Sequence, residues 1–306
     1  MTEHEQTCRR SAGGRRVDPT LDHPPVVRGF RDPDLAALVA TLSSEHYERY
    51  LTAIAAPTTR HSLSTEFREV MTYAAGELGA LGYTVARSPI AVGAGQSENL
   101  TAYRTGSAPG PRKLVVATAH LDSVNQLGRS EPAPGADDNA SGSAGVLELG
   151  RVLAGRTWPH DLLLILFGGE EQGLLGSIDY VGTLDSETRQ RMSTIINMDM
   201  IGRQNTETSC VMIEGGEHSR TLIADLVTAA GTWTALNVTT SLNPFASDHV
   251  PFIDAGLPAV LTIEADDRAN LDVHTAGDVP ATVSPALALE ILTMNVVVLA
   301  DHLHTP

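Results

Sequence analysis

Two segments of this chain are almost uninterrupted apolar runs, Leu114-Val-Val-Ala-Thr-Ala119 and Leu162-Leu-Leu-Ile-Leu-Phe167. A strand that is apolar on both sides must be covered on both faces, which is the situation of a central strand in a mostly parallel sheet. Stretches of strand and helix character alternate around these two runs, so the expected class is α/β: a mostly parallel mixed sheet flanked by helices on both faces. Strands are expected over 83–92, 99–104, 114–119, 162–167, 194–198, 210–214 and 259–263. Helices are expected over 34–55, 65–81, 142–153, 174–182, 219–230 and 286–302, with Ser64 capping the second and Gly82 ending it.

Residues 1–30, rich in Arg, Pro and Gly and without periodicity, read as a flexible N-terminal tail, leaving 31–306 as a single domain. The tail carries arginine pairs without a following apolar stretch, so it does not read as a secretory leader, and a cytoplasmic location is expected. No apolar run of about 18 residues is visible, so no membrane partner is expected. With 37 acidic against 21 basic residues the formal charge is −16, which argues against nucleic acid as a partner because phosphate is repelled. Cys8 and Cys210 are far apart, and a structural disulfide between them is not expected.

In an open parallel sheet, ligands bind beyond the carboxyl ends of the strands. There the chain places His120 and Asp122, then Glu170 and Glu171, then Asp199; Asp137 and Asp138 open a helix, and His274 precedes the last one. Taken singly these are ordinary: acids favour helix N-termini, and a glutamate pair suits a solvated turn. Delivered by five elements to one edge, they would repel one another strongly without a cation. Two imidazoles and three carboxylates with no nearby cysteine suit zinc, cobalt or manganese. Glu170 and Glu171 are placed to divide coordination from general-base work, and Asp122 to hold the far nitrogen of His120.

The segments Ala119-His-Leu-Asp-Ser123, Pro134-Gly-Ala-Asp-Asp-Asn-Ala-Ser-Gly142, Gly169-Glu-Glu-Gln-Gly-Leu-Leu-Gly-Ser177, Asn197-Met-Asp-Met-Ile-Gly202, Ser247-Asp-His249 and His274-Thr-Ala-Gly-Asp278 resemble, in order, the M28 family of dizinc peptidases. The resemblance implies a zinc-dependent exopeptidase (phosphorylase/hydrolase-like) fold and an aminopeptidase acting on a peptide or small amide substrate. It implies two Zn2+, one held by His120 and Asp199, the other by Glu171 and His274, with Asp138 bridging them and a cis peptide after Asp138. Glu170 is then the general base, taking a proton from the attacking water and returning it to the leaving amine. Asp248 is expected either behind the metal ligands or as a helix cap, Arg203 in a surface ion pair or at a substrate carbonyl, and Glu264 at a substrate amine.

The chain departs from the family in one respect. Members carry a tyrosine near the last ligand histidine or near Ser-Asp-His as an oxyanion donor; here Val273 precedes His274, Phe245-Ala246 precedes Ser247, and no tyrosine follows Tyr180. That leaves His249, a backbone amide or the metal for the role, and it keeps open a single-zinc glutaminyl-cyclase-like acyltransfer enzyme or a specialised amidohydrolase. A non-catalytic binding relative is the remaining alternative. No G-x-S-x-G or H-E-x-x-H motif supports another hydrolase class. Side-chain specificity is expected to come from the loops over 125–134 and 204–209.

Overall fold

A computed structural model describes residues 21–305. Among them, the strands are β1 (Thr84–Val92), β2 (Gly95–Arg104), β3 (Leu114–His120), β4 (Asp161–Phe167), β5 (Met192–Met198), β6 (Cys210–Gly215), β7 (Asn237–Ser241) and β8 (Ala259–Glu264). They form one sheet in the order β1-β2-β4-β3-β5-β8-β6-β7. The central pairs β4–β3, β3–β5 and β5–β8 are parallel. The β1–β2, β2–β4 and β8–β6 pairs are antiparallel, and β6–β7 is again parallel.

Every residue of β3 and β4 is buried, and alternate side chains enter two different cores. Val115, Ala117, Leu162, Leu164 and Leu166 join the larger core. Leu114, Val116, Leu163, Ile165 and Phe167 join the smaller one on the opposite face. The period of two is thus present but invisible in the sequence, because both faces are apolar. The larger core is covered by α1 (Pro33–Val39), α2 (Ser44–Ala55), α3 (Thr65–Ala80), α4 (Gly142–Ala154), α7 (Arg220–Trp233) and α9 (Pro285–His304). The smaller core takes Val181 from α5 (Leu175–Thr183) and Phe252 from α8 (His249–Asp254), and α6 (Ser186–Arg191) leads into β5.

Several expectations need correction. The helix expected over 34–55 is two helices, because Ser43 starts a new one: its Oγ accepts from the N–H of His46, while its own N–H donates to the buried Glu148 at 2.7 Å. Strand β7 and helices α6 and α8 were not anticipated; Asn-Val-Thr-Thr-Ser is short and polar, α6 has no apolar stripe, and α8 has only six residues and contains Pro251. Helix α9 is long and apolar enough by composition to cross a membrane, yet 67% of its apolar window is buried inside the protein, where it is a core helix. Of the expected tail, residues 1–20 and Cys8 lie outside the described residues. Asp22 pairs with Thr240 through two 2.9 Å backbone hydrogen bonds, and the Gly29 N–H donates to Thr232 at 2.7 Å.

Leu164 is fully buried in β4, whereas Leu127 is 81% exposed. Leu164→Ala is expected to lower unfolding free energy by about 2–5 kcal/mol. Leu127→Ala is expected to change it by less than about 0.5 kcal/mol. Urea melts of the two variants, compared at unchanged m-value, check the difference.

Candidate metal centre

The parallel strands β4, β3 and β5 lie side by side, so whatever follows them meets at one edge of the sheet. His120 ends β3. Glu170 and Glu171 lie in the tight turn after β4, where the N–H groups of Gly173 and Leu174 both donate to the Glu170 carbonyl at 2.8 Å. Asp199 directly follows β5. Asp138 sits in the turn that enters α4, and its peptide to Asn139 is cis, at the position implied by the resemblance. His274 lies in the loop after β8 with a left-handed φ of 57°.

Six side chains gather into two adjoining groups, His120 with Glu170 and Asp199, and Asp138 with Glu171 and His274; within each group the ligand atoms all lie within 4.8 Å. Nε2 of His120 is 3.2 Å from Asp199 Oδ1, 3.3 Å from Asp138 Oδ1 and 3.9 Å from Glu170 Oε2. Nε2 of His274 is 3.0 Å from Asp138 Oδ2 and 2.9 Å from Glu171 Oε2. Asp138 therefore turns one oxygen toward each histidine and joins the groups. The His274 side chain is 26% exposed and marks the open side, while His120 is 1% exposed.

The electrostatics follow from burial and crowding. Burial, reinforced by Glu171 and Asp199, pushes the Glu170 carboxyl well above its ordinary range. Burial, with repulsion from Asp138, likewise raises Glu171 to about 7. Asp138 goes the other way: although burial opposes ionisation, hydrogen bonds with His120 and His274 hold it low. His274 is raised to about 12, chiefly by Glu171. His120 is also raised, since Asp199 and Glu170 outweigh its burial. A carboxylate-rich pocket that can be neutral only by holding protons fits a divalent cation in each group: the donors are imidazole nitrogens and carboxylate oxygens, and no thiol is among them.

A surrounding set of hydrogen bonds aims these side chains. The far nitrogen of His120 meets the backbone carbonyl of Asp122 at 3.1 Å, whereas the Asp122 carboxylate is 3.7 Å away. That carboxylate instead accepts from the N–H groups of Glu170 and Glu171 at 3.2 and 3.3 Å, so Asp122 fixes both the imidazole and the glutamate turn. The Asp278 carboxylate accepts from the N–H groups of Asp137 and Asp138 at 2.8 and 3.0 Å. The Ser247 hydroxyl donates to Asp199 Oδ2 at 2.6 Å and is itself held by Asn197 at 2.9 Å. Gly142 permits the close approach behind Asp138, for a Cβ there would stand 2.5 Å from the Met198 carbonyl oxygen.

The remaining residues singled out in the sequence divide as follows. Asp248 is fully buried in the field of His120 and Asp199 and is raised to about 7 by burial; it does not cap α8 with its side chain. Asp137 serves structure, accepting from Gly202 N–H at 2.9 Å and Asn270 at 2.8 Å. Glu264 is fully buried, accepts from the backbone N–H of Arg203 and from Asn205, and is raised to about 10 by burial, so it is no receptor for a substrate amine. Arg203 pairs with Asp272 at 3.0 Å in the surface ion pair. His249 is buried against Glu214 at 3.1 Å, and Tyr180 packs against Phe167 and Phe252 in the smaller core. Sequence reasoning passed over Arg60, a fully buried guanidinium beside this centre; a lone arginine in an irregular connection carries no periodic or motif signal.

Known proteins resemble this chain in sequence and in fold. The model of peptidase family M28 matches residues 99–298. Aminopeptidase YwaD of Bacillus subtilis is 32% identical over 153 residues, which is 50% of this chain and 32% of that protein. A probable zinc metalloprotease of Leptosphaeria maculans is 28% identical over 309 aligned positions, covering 82% of this chain and 70% of the relative. The LapA aminopeptidase of Legionella pneumophila superposes with a TM-score of 0.78 at 18% identity over 93% of this chain and 78% of its own. The aminopeptidase of Aneurinibacillus sp. strain AM-1 superposes at 0.77 with 16% identity over 88% and 96%. The two superpositions establish a common fold. Because the family match takes in the strands, turns and loop that bring His120, Asp138, Glu170, Glu171, Asp199 and His274 together, and spans more than half of the 306 residues, this chain belongs to peptidase family M28.

Proposed function

We propose that the chain is a zinc-dependent exopeptidase, an aminopeptidase that hydrolyses the amide bond of a peptide substrate at a two-zinc centre. The observation that carries this reading is Asp138, which presents one oxygen to the His120 group and the other to the His274 group. His120 and Asp199 would hold one zinc, Glu171 and His274 the other, and Asp138 both. Zinc bound there supplies Lewis acidity to the scissile carbonyl and lowers the pKa of the attacking water. Glu170 lies alongside, with Oε2 at 3.9 Å from the His120 nitrogen, the longest of the His120 contacts, as suits a base that stands beside a metal. As general base, Glu170 would take the proton of the attacking water and pass it to the leaving amine.

The partial exposure of His274 makes its side of the cluster the entry for substrate. With Tyr180 packed in the smaller core and no later tyrosine in the chain, the oxyanion receives no tyrosine hydroxyl from the His274 or Ser247 segments.

Glu170→Gln keeps the size of the side chain and removes its basicity. It is expected to lower kcat about 10²–10⁴-fold with zinc content unchanged; full hydrolysis by a fully loaded variant would remove Glu170 from the mechanism. Zinc titration of the metal-free protein is expected to saturate at two ions per chain, and saturation at one would favour the single-zinc acyltransfer reading. Free-amine peptides are expected to be cleaved and their N-blocked counterparts spared, read by release of the N-terminal residue.

A further inference from the structure

Arg60 lies in the connection between α2 and α3 and is, among the described residues, one of the largest fully buried side chains. A buried guanidinium is tolerated only when each donor is satisfied and its charge is answered. Its Nε donates to the carbonyl of Leu121 at 2.8 Å, Nη2 to that of Gly135 at 2.9 Å, and Nη1 to that of Pro134. Leu121 follows His120 directly, and Gly135 stands just ahead of the Asp137-Asp138 turn. One side chain therefore grips both feet of the loop between a histidine of one ligand group and the carboxylate that joins the two groups.

The backbone around Arg60 tightens the same grip. Its N–H donates to Ser123 Oγ at 3.1 Å, and the Ser123 N–H donates back to the Arg60 carbonyl at 3.2 Å. Ser123 Oγ then donates to the Ala133 carbonyl at 2.7 Å, and the Ala133 N–H to that of Thr58 at 2.7 Å. Farther along the loop, the Gln126 N–H donates to the His274 carbonyl at 2.9 Å, so a third ligand residue is tied to it. Gly135 has φ 52°, and a Cβ there would stand 2.3 Å from the Asp138 carbonyl oxygen and 3.0 Å from Arg60 Nη2, so the turn closes directly against the guanidinium. Burial pulls the guanidinium down to about 10, and the neighbouring carboxyl groups of Asp278, Asp122, Asp138 and Glu171 act in the opposite direction.

We propose that Arg60 is a positioning residue of the metal centre, its planar fork setting the spacing between the His120 group and the Asp138–His274 group. The proposal rests on the two-zinc reading given above. Three separate carbonyls are met by one planar fork, which an ammonium on a flexible stem does not reproduce. The charge alone is thus insufficient, and lysine should fail where arginine serves.

The test uses the full chain carrying Arg60→Gln or Arg60→Lys, held at a temperature where circular dichroism shows it fully folded. Zinc affinity is measured by competition with a chromophoric chelator, and cobalt substitution is followed by visible absorption. The weaker zinc affinity is expected to fall about 10–100-fold in both variants, with an altered cobalt spectrum and no advantage for lysine. Wild-type zinc affinity in the folded variants, or full rescue by lysine, overturns the proposal. Ser123→Ala keeps the guanidinium and removes only the hydroxyl that ties the Arg60 backbone N–H to the Ala133 carbonyl and so holds the guanidinium against the loop, which covers the case in which neither Arg60 variant folds. A smaller loss of affinity in the same direction is expected there, and in that case unchanged affinity would overturn the proposal. Two-zinc binding is judged from the wild-type stoichiometry and Arg60 from the variant-to-wild-type affinity ratio, so either can fail without the other.

Discussion

Burying Asp138, Glu170, Glu171 and Asp199 in two adjoining groups is a costly arrangement, and much of the surrounding structure is organised around it. Like charges in a low-dielectric interior must either keep protons or be met by cations. Two imidazoles and one guanidinium answer part of the charge, and the raised proton affinities of Glu170 and Glu171 reflect what they leave over. A pair of divalent cations would replace those protons with a fixed charge, which is why the same geometry that is strained as a set of acids is reasonable as a ligand set.

Such a set works only if its members cannot relax apart. The sheet supplies the first level of rigidity, since His120, the glutamate pair and Asp199 hang from strands buried on both faces. The second level is a ring of hydrogen bonds that aims each carboxylate: Asp122 on the glutamate turn, Asp278 on the Asp137 and Asp138 amides, Ser247 on Asp199. Nearly all of these partners are themselves buried, so they are not displaced by water and their directions are maintained. Arg60 adds a third level by connecting segments that the sheet leaves independent.

Much of this was legible in the residues. The expected strands all occur, with ends shifted by at most a few residues, because long apolar runs bounded by polar turns have few other ways to be buried. His120, the glutamate pair and Asp199 could be read as candidates because they end or closely follow such runs, whereas Asp138 enters a helix and His274 sits in a loop. The elements that escaped notice are those whose local signal is weak: β7 is a short polar strand and α8 a helix of six residues. The break between α1 and α2 depends on the Ser43 N–H reaching Glu148, 105 positions away.

Glu264 and Arg60 mark the same boundary within the site. Glu264 ends a strand at the functional edge just as His120 does, and nothing local distinguishes the two. Only the folded chain shows that Asn205 and the Arg203 amide enclose the glutamate while His120 meets Asp138 and Asp199. By itself the sequence determined which strands must be central and which residue types must crowd their carboxyl ends, because periodicity and chain order are local properties. Which of those side chains face one another, and which buried charge holds them in register, only the tertiary structure decided, because partners such as Arg60 and Gly135 lie 75 positions apart and meet solely through packing.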